Sequence, residues 1–420
     1  MRKRTAILAS LCAMAAPLAA TLMVAPAAAT SDQQKFAQIE HGRYLVTLGD
    51  CYACHTKKGG KPFAGGRPIE TPFGMVVSPN ITPDRDTGIG NWTDAQFDNA
   101  VRHGIRNDGA HLYPAMPYTS YTKMSRDDVK AIRAYLATVE PVHNKVVADQ
   151  LPFPFNIRFS IRAWDLLFFD DGQFKPDPKK SAEWNRGAFL VKGPGHCGAC
   201  HTSKNFLGAD KTSEALQGEQ VQGWFAHNIT NDKANGLGSM SVKEIATLLK
   251  KGHDRITTVT GPMSEEVEDS SSHFSEKDVT AIATYLKSLS GGSDKDQPKP
   301  IDASDPRMAA GKAIYRATCA ACHGLDGKGV PTLFPALAKA PSVRAKDPTS
   351  AIRVVLRGAR SVATKDEPTA PAMPAFGWQL KDDQTAAVLT YIRNSWGAKA
   401  GPVSASDVSK QKSKLANRTD

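Results

Sequence analysis

Several absences narrow the possibilities before any motif is considered. After Ala29 no stretch offers about 18 or more consecutive uncharged apolar residues, so the rest of the chain has no transmembrane helix. Cysteine is scarce, seven in 420 residues, and an odd number does not close into a pure disulfide framework. No alternation of strands and helices supplies the βαβ context that a thioredoxin-like thiol pair needs. Hydrophobic residues at 41% and charged residues at 23% are ordinary amounts, which excludes wholesale disorder and collagen-like repeats. Acidic residues are outnumbered, 42 against 53 Lys and Arg, giving a formal net charge of +11. Taken alone, that balance points to nucleic acid or an anionic membrane surface. At about 150 residues per domain, the length predicts two to four domains.

The N-terminus accounts for part of this. Arg2, Lys3 and Arg4 precede an apolar run from Ala6 to Val24, and Ala27, Ala28 and Ala29 form a small-residue cleavage site. Residues 1–29 therefore read as a secretory signal peptide, with an uncleaved anchor helix as the alternative. Cleavage removes three positive charges and Cys12, and leaves six cysteines. An exported chain without a membrane span fits an oxidising periplasm.

Those six cysteines fall into three identical frames: Cys51-Tyr-Ala-Cys54-His55, Cys197-Gly-Ala-Cys200-His201 and Cys319-Ala-Ala-Cys322-His323. Each frame follows a glycine within an apolar stretch, at Gly42, Gly187 and Gly311. Each is followed, after a long irregular stretch, by an amphipathic pattern. Ser125 to Leu136 matches Ser275 to Leu286, and both open on a Ser-x-x-Asp cap. The third pattern, ending in Val388, Tyr391 and Ile392, has Lys381 in place of the serine. The expected fold is all-α, with three tandem domains at 30–140, 181–290 and 307–397. A glycine in each leading helix permits close backbone approach. Tyr135, Tyr285 and Tyr391 either fill that crossing or join a helical core. Residues 141–180 form an apolar connecting segment, 291–306 a polar linker, and 398–420 a polar tail free of the fold.

C-x-x-C-H is the attachment signature of c-type haem. Two thiols two residues apart reach the two vinyl groups of one haem, and the adjacent histidine reaches the iron. A disulfide, a zinc half-site or a redox pair would each account for one Cys pair. None accounts for a histidine directly after all three. Distal ligands must come from downstream: Met116, Met263 and Met373 each lie beside a proline, before the final helix. Their rivals are Met75, Met124, His103 and His111 in the first repeat, and Met240, His253 and His273 in the second. Asn80-Ile-Thr recurs as Asn228-Ile-Thr. Arg102, Lys251 and Arg357 precede glycines, where a cation pairs with a haem propionate or satisfies a helix end. Trp92 packs on a haem edge or fills the core.

These motifs, with Gly49 to Thr56, Ser78 to Asp84, Ala100 to Gly104, Leu112 to Tyr118, Gly193 to Thr202 and Met373 to Phe376, resemble the triple-haem cytochrome c subunit of membrane-bound, quinone-reducing dehydrogenases. The resemblance spans nearly the whole mature chain. It implies three covalently attached haem c groups, with His55, His201 and His323 proximal and Met116, Met263 and Met373 distal. It implies a large dehydrogenase subunit carrying PQQ, FAD or a molybdenum cofactor, a possible small third subunit, and ubiquinone as acceptor. The expected location is the periplasmic face of the cell membrane, peripherally attached. The apolar 151–169 stretch, with Arg158 and Arg162, is a candidate contact for membrane or partner. The competing reading is a multihaem enzyme acting directly on a small substrate, as a peroxidase does. Two propionates per haem offset most of the positive charge, and the nucleic-acid reading drops away.

Overall fold

The computed structural model describes residues 31–147, 149–291, 301–338, 340–416 and 418. The expected signal peptide, and 292–300 of the expected linker, lie outside them. Three helix pairs form the framework. Ser31–Leu48 packs on Arg126–Leu136, Ala182–Lys192 on Glu276–Ser288, and Pro306–Thr318 on Asp382–Arg393. At each crossing a leading-helix glycine meets the closing helix's backbone. A Cβ added at Gly42, Gly187 or Gly311 would come within 1.8, 1.9 or 2.2 Å of the carbonyl oxygens of Ala131, Ala281 and Ala387. Only hydrogen fits there.

The closing helices start where the caps dictate. Ser125 Oγ accepts from Asp128 N at 3.0 Å, and Asp128 returns the bond to Ser125 N. Ser275 Oγ accepts from Asp278 N at 3.1 Å. In the third repeat Lys381 N donates to the Gln384 side chain at 2.9 Å, so half of the capping box survives the loss of serine.

The all-α expectation needs correction in detail. The fold is mainly helical but carries three small antiparallel hairpins: Pro68–Thr71 with Gly74–Val77, Glu219–Val221 with Trp224–Ala226, and Ala359–Arg360 with Ala372–Met373. The first two follow the cysteine frames of their repeats. The repeats are also unequally joined. The first two share one buried cluster that includes Leu45, Val46, Ile132, Leu190 and Ile282, while the third has its own around Tyr315, Ile352 and Leu389. Tyr44 of the first leading helix donates to Asp278 of the second closing helix at 2.6 Å.

The expected free tail is instead the helix Ala405–Leu415. Val408, Gln411 and Leu415 form a narrow buried stripe, too sparse to stand out in a polar sequence. The connecting segment contains the helix Ser160–Phe168, none of whose residues is buried. Arg158 and Asp165 face inward, while Ser160 and Arg162 are exposed. Arg158 pairs with Asp149, and Asp165 accepts from Tyr118 Oη at 2.6 Å and lies 3.0 Å from His111 Nδ1. Phe153, Phe159 and Leu166 are 78%, 75% and 88% exposed. Among the described residues no helix is long and apolar enough to cross a membrane.

Candidate functional site

Each cysteine frame folds as a short helical turn directly after its leading helix: Cys51–His55, Gly198–His201 and Ala320–His323. No cysteine among them is in a disulfide. In all three frames the first cysteine is half-buried and the second exposed. Burial pushes the Cys51 and Cys197 thiols up to about 12 and Cys319 up to about 11. A redox-active pair needs a lowered thiol pKa, so the frames are not built as reactive thiolates. Among the described residues no three His, Cys, Asp or Glu are grouped to hold a bare metal ion, which speaks against zinc.

The histidines share one geometry. His55 Nδ1 donates to the Pro79 carbonyl at 2.8 Å, His201 Nδ1 to the His227 carbonyl at 2.6 Å, and His323 Nδ1 to the Pro335 carbonyl at 3.1 Å. A carbonyl only accepts, so each Nδ1 carries the proton and each Nε2 keeps its lone pair. Burial, against the pull of these hydrogen bonds, holds all three below the usual imidazole range. A neutral, oriented imidazole with Nε2 free is what a proximal iron ligand requires.

The recurring Asn-Ile-Thr, which sequence reading left without a role, explains two of these bonds. Asn80 Oδ1 accepts from Thr82 N at 2.9 Å and Thr82 Oγ1 at 2.8 Å; Asn228 Oδ1 accepts from Thr230 N at 2.8 Å and Thr230 Oγ1 at 2.7 Å. Each asparagine directly follows the residue whose carbonyl holds the histidine. The turn it closes fixes that carbonyl. The repetition was visible in the sequence; its purpose depended on a contact to a histidine some 25 residues away.

A cavity of about 1990 Å³ is lined by Cys51, Cys54, His55 and Met116 of the first repeat and by His196 and Cys200 of the second. It is roughly twice the ~1,000 Å³ upper end of ordinary ligand clefts. Phe155, Ile161, Trp164 and Leu167 of the connecting segment form part of its wall, as does Trp92. A second cavity, about 120 Å³, is lined by Cys322, His323 and Met373. It is smaller than an ordinary ligand cleft, so at the third frame the donor set, not the volume, fits haem.

Met116 and Met373 thus stand with their histidines. Met263 and His201 line neither of these two cavities. Met263 packs with Val259, Val267 and Val362, in the first turn of the helix Pro262–Asp269. Proline was expected to exclude helix there. At the first helical position it instead starts one, because its missing N–H has no intrahelical partner to lose. The rival ligands are mostly spent. Met124 and Met240 are buried in the shared core, Met75 lies in a hairpin strand, His103 and His111 face Asp171 and Asp165, and His273 Nε2 donates to the Glu268 carbonyl. His253 is different: it lines the third repeat's cavity. Of the three cations, Lys251 pairs with Glu367, Arg357 donates to the carbonyls of Leu415 and Arg418, and Arg102 faces Asp98 with a buried Nε that has no partner.

The chain matches the cytochrome c family over residues 39–140 and 308–396. It is 41% identical over 405 residues to the gluconate 2-dehydrogenase cytochrome c subunit of Pantoea cypripedii, covering 91% of each chain. It is 39% identical to the alcohol dehydrogenase (quinone) cytochrome c subunit of Gluconacetobacter polyoxogenes, over 93% of this chain and 87% of that one. The fructose dehydrogenase cytochrome subunit of Gluconobacter japonicus is 37% identical over 88% of this chain and 82% of its own. The chain belongs to the dehydrogenase cytochrome c subunits. A cytochrome c carries covalently attached haem c, and the unpaired cysteines and oriented histidines fit that group.

In this cytochrome subunit the first two frames are separated by an acidic cluster. Arg67 pairs with Glu265 and donates to the Ala53 carbonyl. Beside them, burial and then neighbouring acids push Asp50 well above the usual carboxylate range. Burial pushes Glu266 up to about 7, against a hydrogen bond from Ser271 Oγ at 2.9 Å. Nothing in the spacing of these acids announces the cluster; the packing of two repeats assembles it.

Proposed function

We propose that the chain is a relay of three c-type haems in three tandem cytochrome c domains, passing electrons from a dehydrogenase's catalytic subunit to ubiquinone. Cys51 and Cys54, Cys197 and Cys200, and Cys319 and Cys322 hold the haems. His55, His201 and His323 bind iron on one side, and Met116, Met263 and Met373 on the other. The observation that carries this reading is the Nδ1-to-carbonyl bond repeated at all three histidines. Haem supplies reversible one-electron chemistry, and a closed methionine-ligated site raises its potential without asking for substrate. The protein's own work is to orient the imidazoles, seal the thioether cysteines, and set two frames around one cavity.

Names of the relatives support a dehydrogenase partner, whose large subunit carries PQQ, FAD or a molybdenum cofactor, with room for a small third subunit. One relative's name also supports the quinone acceptor. The exposed apolar connecting segment supports peripheral attachment at the periplasmic membrane face. Direct chemistry on a small substrate needs an open iron position, and methionines that line the same cavities as His55 and His323 disfavour it. The test is intact mass of the mature protein together with purification of the native complex. Three haem additions, and haem reduction by the substrate of a co-purifying dehydrogenase, support the relay. Two additions, or a high-spin haem that binds cyanide rapidly and turns over peroxide, would overturn it.

A further inference from the structure

The third repeat has no asparagine after the carbonyl that holds its histidine: Pro335 is followed by Ala336. Another part of the chain does that work. Ala336 N donates to the carbonyl of Ile256 at 2.8 Å, and Ile256 belongs to the 252–261 loop of the second repeat. Thr258 Oγ1 and Ser361 Oγ lie 2.7 Å apart across the same junction. Within the loop, Asp254 Oδ1 accepts from Ile256 N at 2.8 Å and Thr257 N at 2.6 Å, which fixes its shape.

This loop also walls the third cavity. His253, Asp254 and Thr258 line it together with Cys322, His323, Phe334 and Met373 of the third repeat. Two polar atoms of that wall, His253 Nδ1 and Asp254 Oδ2, are buried without a hydrogen-bond partner among the described residues. Leaving such a group unsatisfied costs about 1–3 kcal/mol, so the orphaned His253 nitrogen marks where a ligand's acceptor belongs, while the Asp254 oxygen can only accept and brings negative charge there. The other charges near the loop are committed: Arg255 pairs with Glu244 and Lys251 with Glu367. A haem bound through Cys322 and His323 carries two propionates at one edge, and His253 is the loop's orphaned donor at this site.

We infer that the 252–261 loop of the second repeat completes the third haem site, with His253 Nδ1 donating a hydrogen bond to a haem propionate and Asp254 adding a further negative charge nearby. The inference rests on the haem reading above. One domain then holds a polar edge of the next domain's cofactor, and the potential of the third haem depends on the second repeat.

The test is a redox titration of the full-length holoprotein. Met373→Ala first identifies the third haem as the wave that moves. In His253→Ala the propionate loses its donor, its negative charge acts more strongly on the iron, and the oxidised form gains. The oxidised-to-reduced ratio of that wave at fixed ambient potential should rise about tenfold, a fall of about 59 mV for one electron. His253→Asn, which keeps a donor near the same place, should restore most of the shift. Asp254→Asn should move the same wave upward, whereas general loosening of the loop would move both variants in one direction. An unmoved third wave, a shift confined to another haem, or loss of an axial-ligand spectrum in His253→Ala would overturn the inference. If His253→Ala does not accumulate, an unmoved wave in Asp254→Asn overturns it equally. A Met373→Ala variant that moves no wave would instead remove Met373 as a ligand, a separate failure.

Discussion

Single residues set the electronics of this chain. Met373 lies on a hairpin strand whose partner Ala359 follows the helix Thr349–Arg357, and it shares a cavity with His323. On the relay proposed above, replacing it with alanine removes a soft sulfur ligand that favours ferrous iron, so one haem potential should fall while the others hold. A redox titration checks this. Glu266 offers a second residue-scale prediction. Its pKa is raised from 4.5 to about 7, with burial as the leading cause. Between those values the folded chain holds a proton that the unfolded chain releases, so stability falls as pH rises through that window. Glu266→Gln should therefore match the native protein near pH 4 and exceed it near pH 8. The gain is up to about 3 kcal/mol, read as a shift in denaturant midpoint. At this scale the sequence singled out Cys and His by chemistry alone. It could not show that Asn80 and Asn228 steady the histidines, because that depends on which carbonyl each ring meets.

Elements carry the repeat. The three glycine crossings were legible because a recurring glycine in an apolar helix has few other uses, and each one meets backbone oxygen. Gly187→Val would force the Ala182–Lys192 and Glu276–Ser288 helices apart. Overpacking costs about 1–3 kcal/mol or more, and thermal unfolding with haem content should report it. The connecting helix Ser160–Phe168 was legible as apolar but not as oriented. Its Asp165 is held by Tyr118 and His111, with Ile161 and Trp164 in the cavity wall and Leu166 turned outward. Replacing Phe153, Phe159 and Leu166 with serine removes side chains worth roughly 1.5–3 kcal/mol each when buried. The subunit should then leave the membrane fraction or its complex, while the haem spectra stay unchanged. Unaltered fractionation would assign the patch no docking role.

At the scale of the molecule, the C-terminal helix Ala405–Leu415 ties the repeats together. Val408 and Leu415 are buried in the third core, Gln411 donates to the Gly223 carbonyl of the second hairpin at 2.8 Å, and Arg418 pairs with Glu70 of the first. Arg353 stacks over Trp224 at 4.5 Å in the same junction. Truncation after Ser404 removes two apolar anchors, together worth roughly 3 kcal/mol or more. Limited proteolysis between the second and third repeats should then accelerate at least about tenfold, with the haem complement retained.

The sequence by itself determined the chemistry and the plan: three thiol pairs with an adjacent histidine, three glycine-notched helix pairs, and methionines downstream. These are local, since spacing of a few residues decides whether two thiols and an imidazole serve one ligand. Only the tertiary structure decided how the repeats meet. The shared core of the first two, the cavity that joins Cys54 to Cys200, the acids gathered around Arg67, and the 252–261 loop against His323 all bring together residues distant in the chain. The polar-looking C-terminus shows the same limit: three buried side chains on one helical stripe are enough to dock it, and a stripe that narrow becomes visible only against the surface it fits.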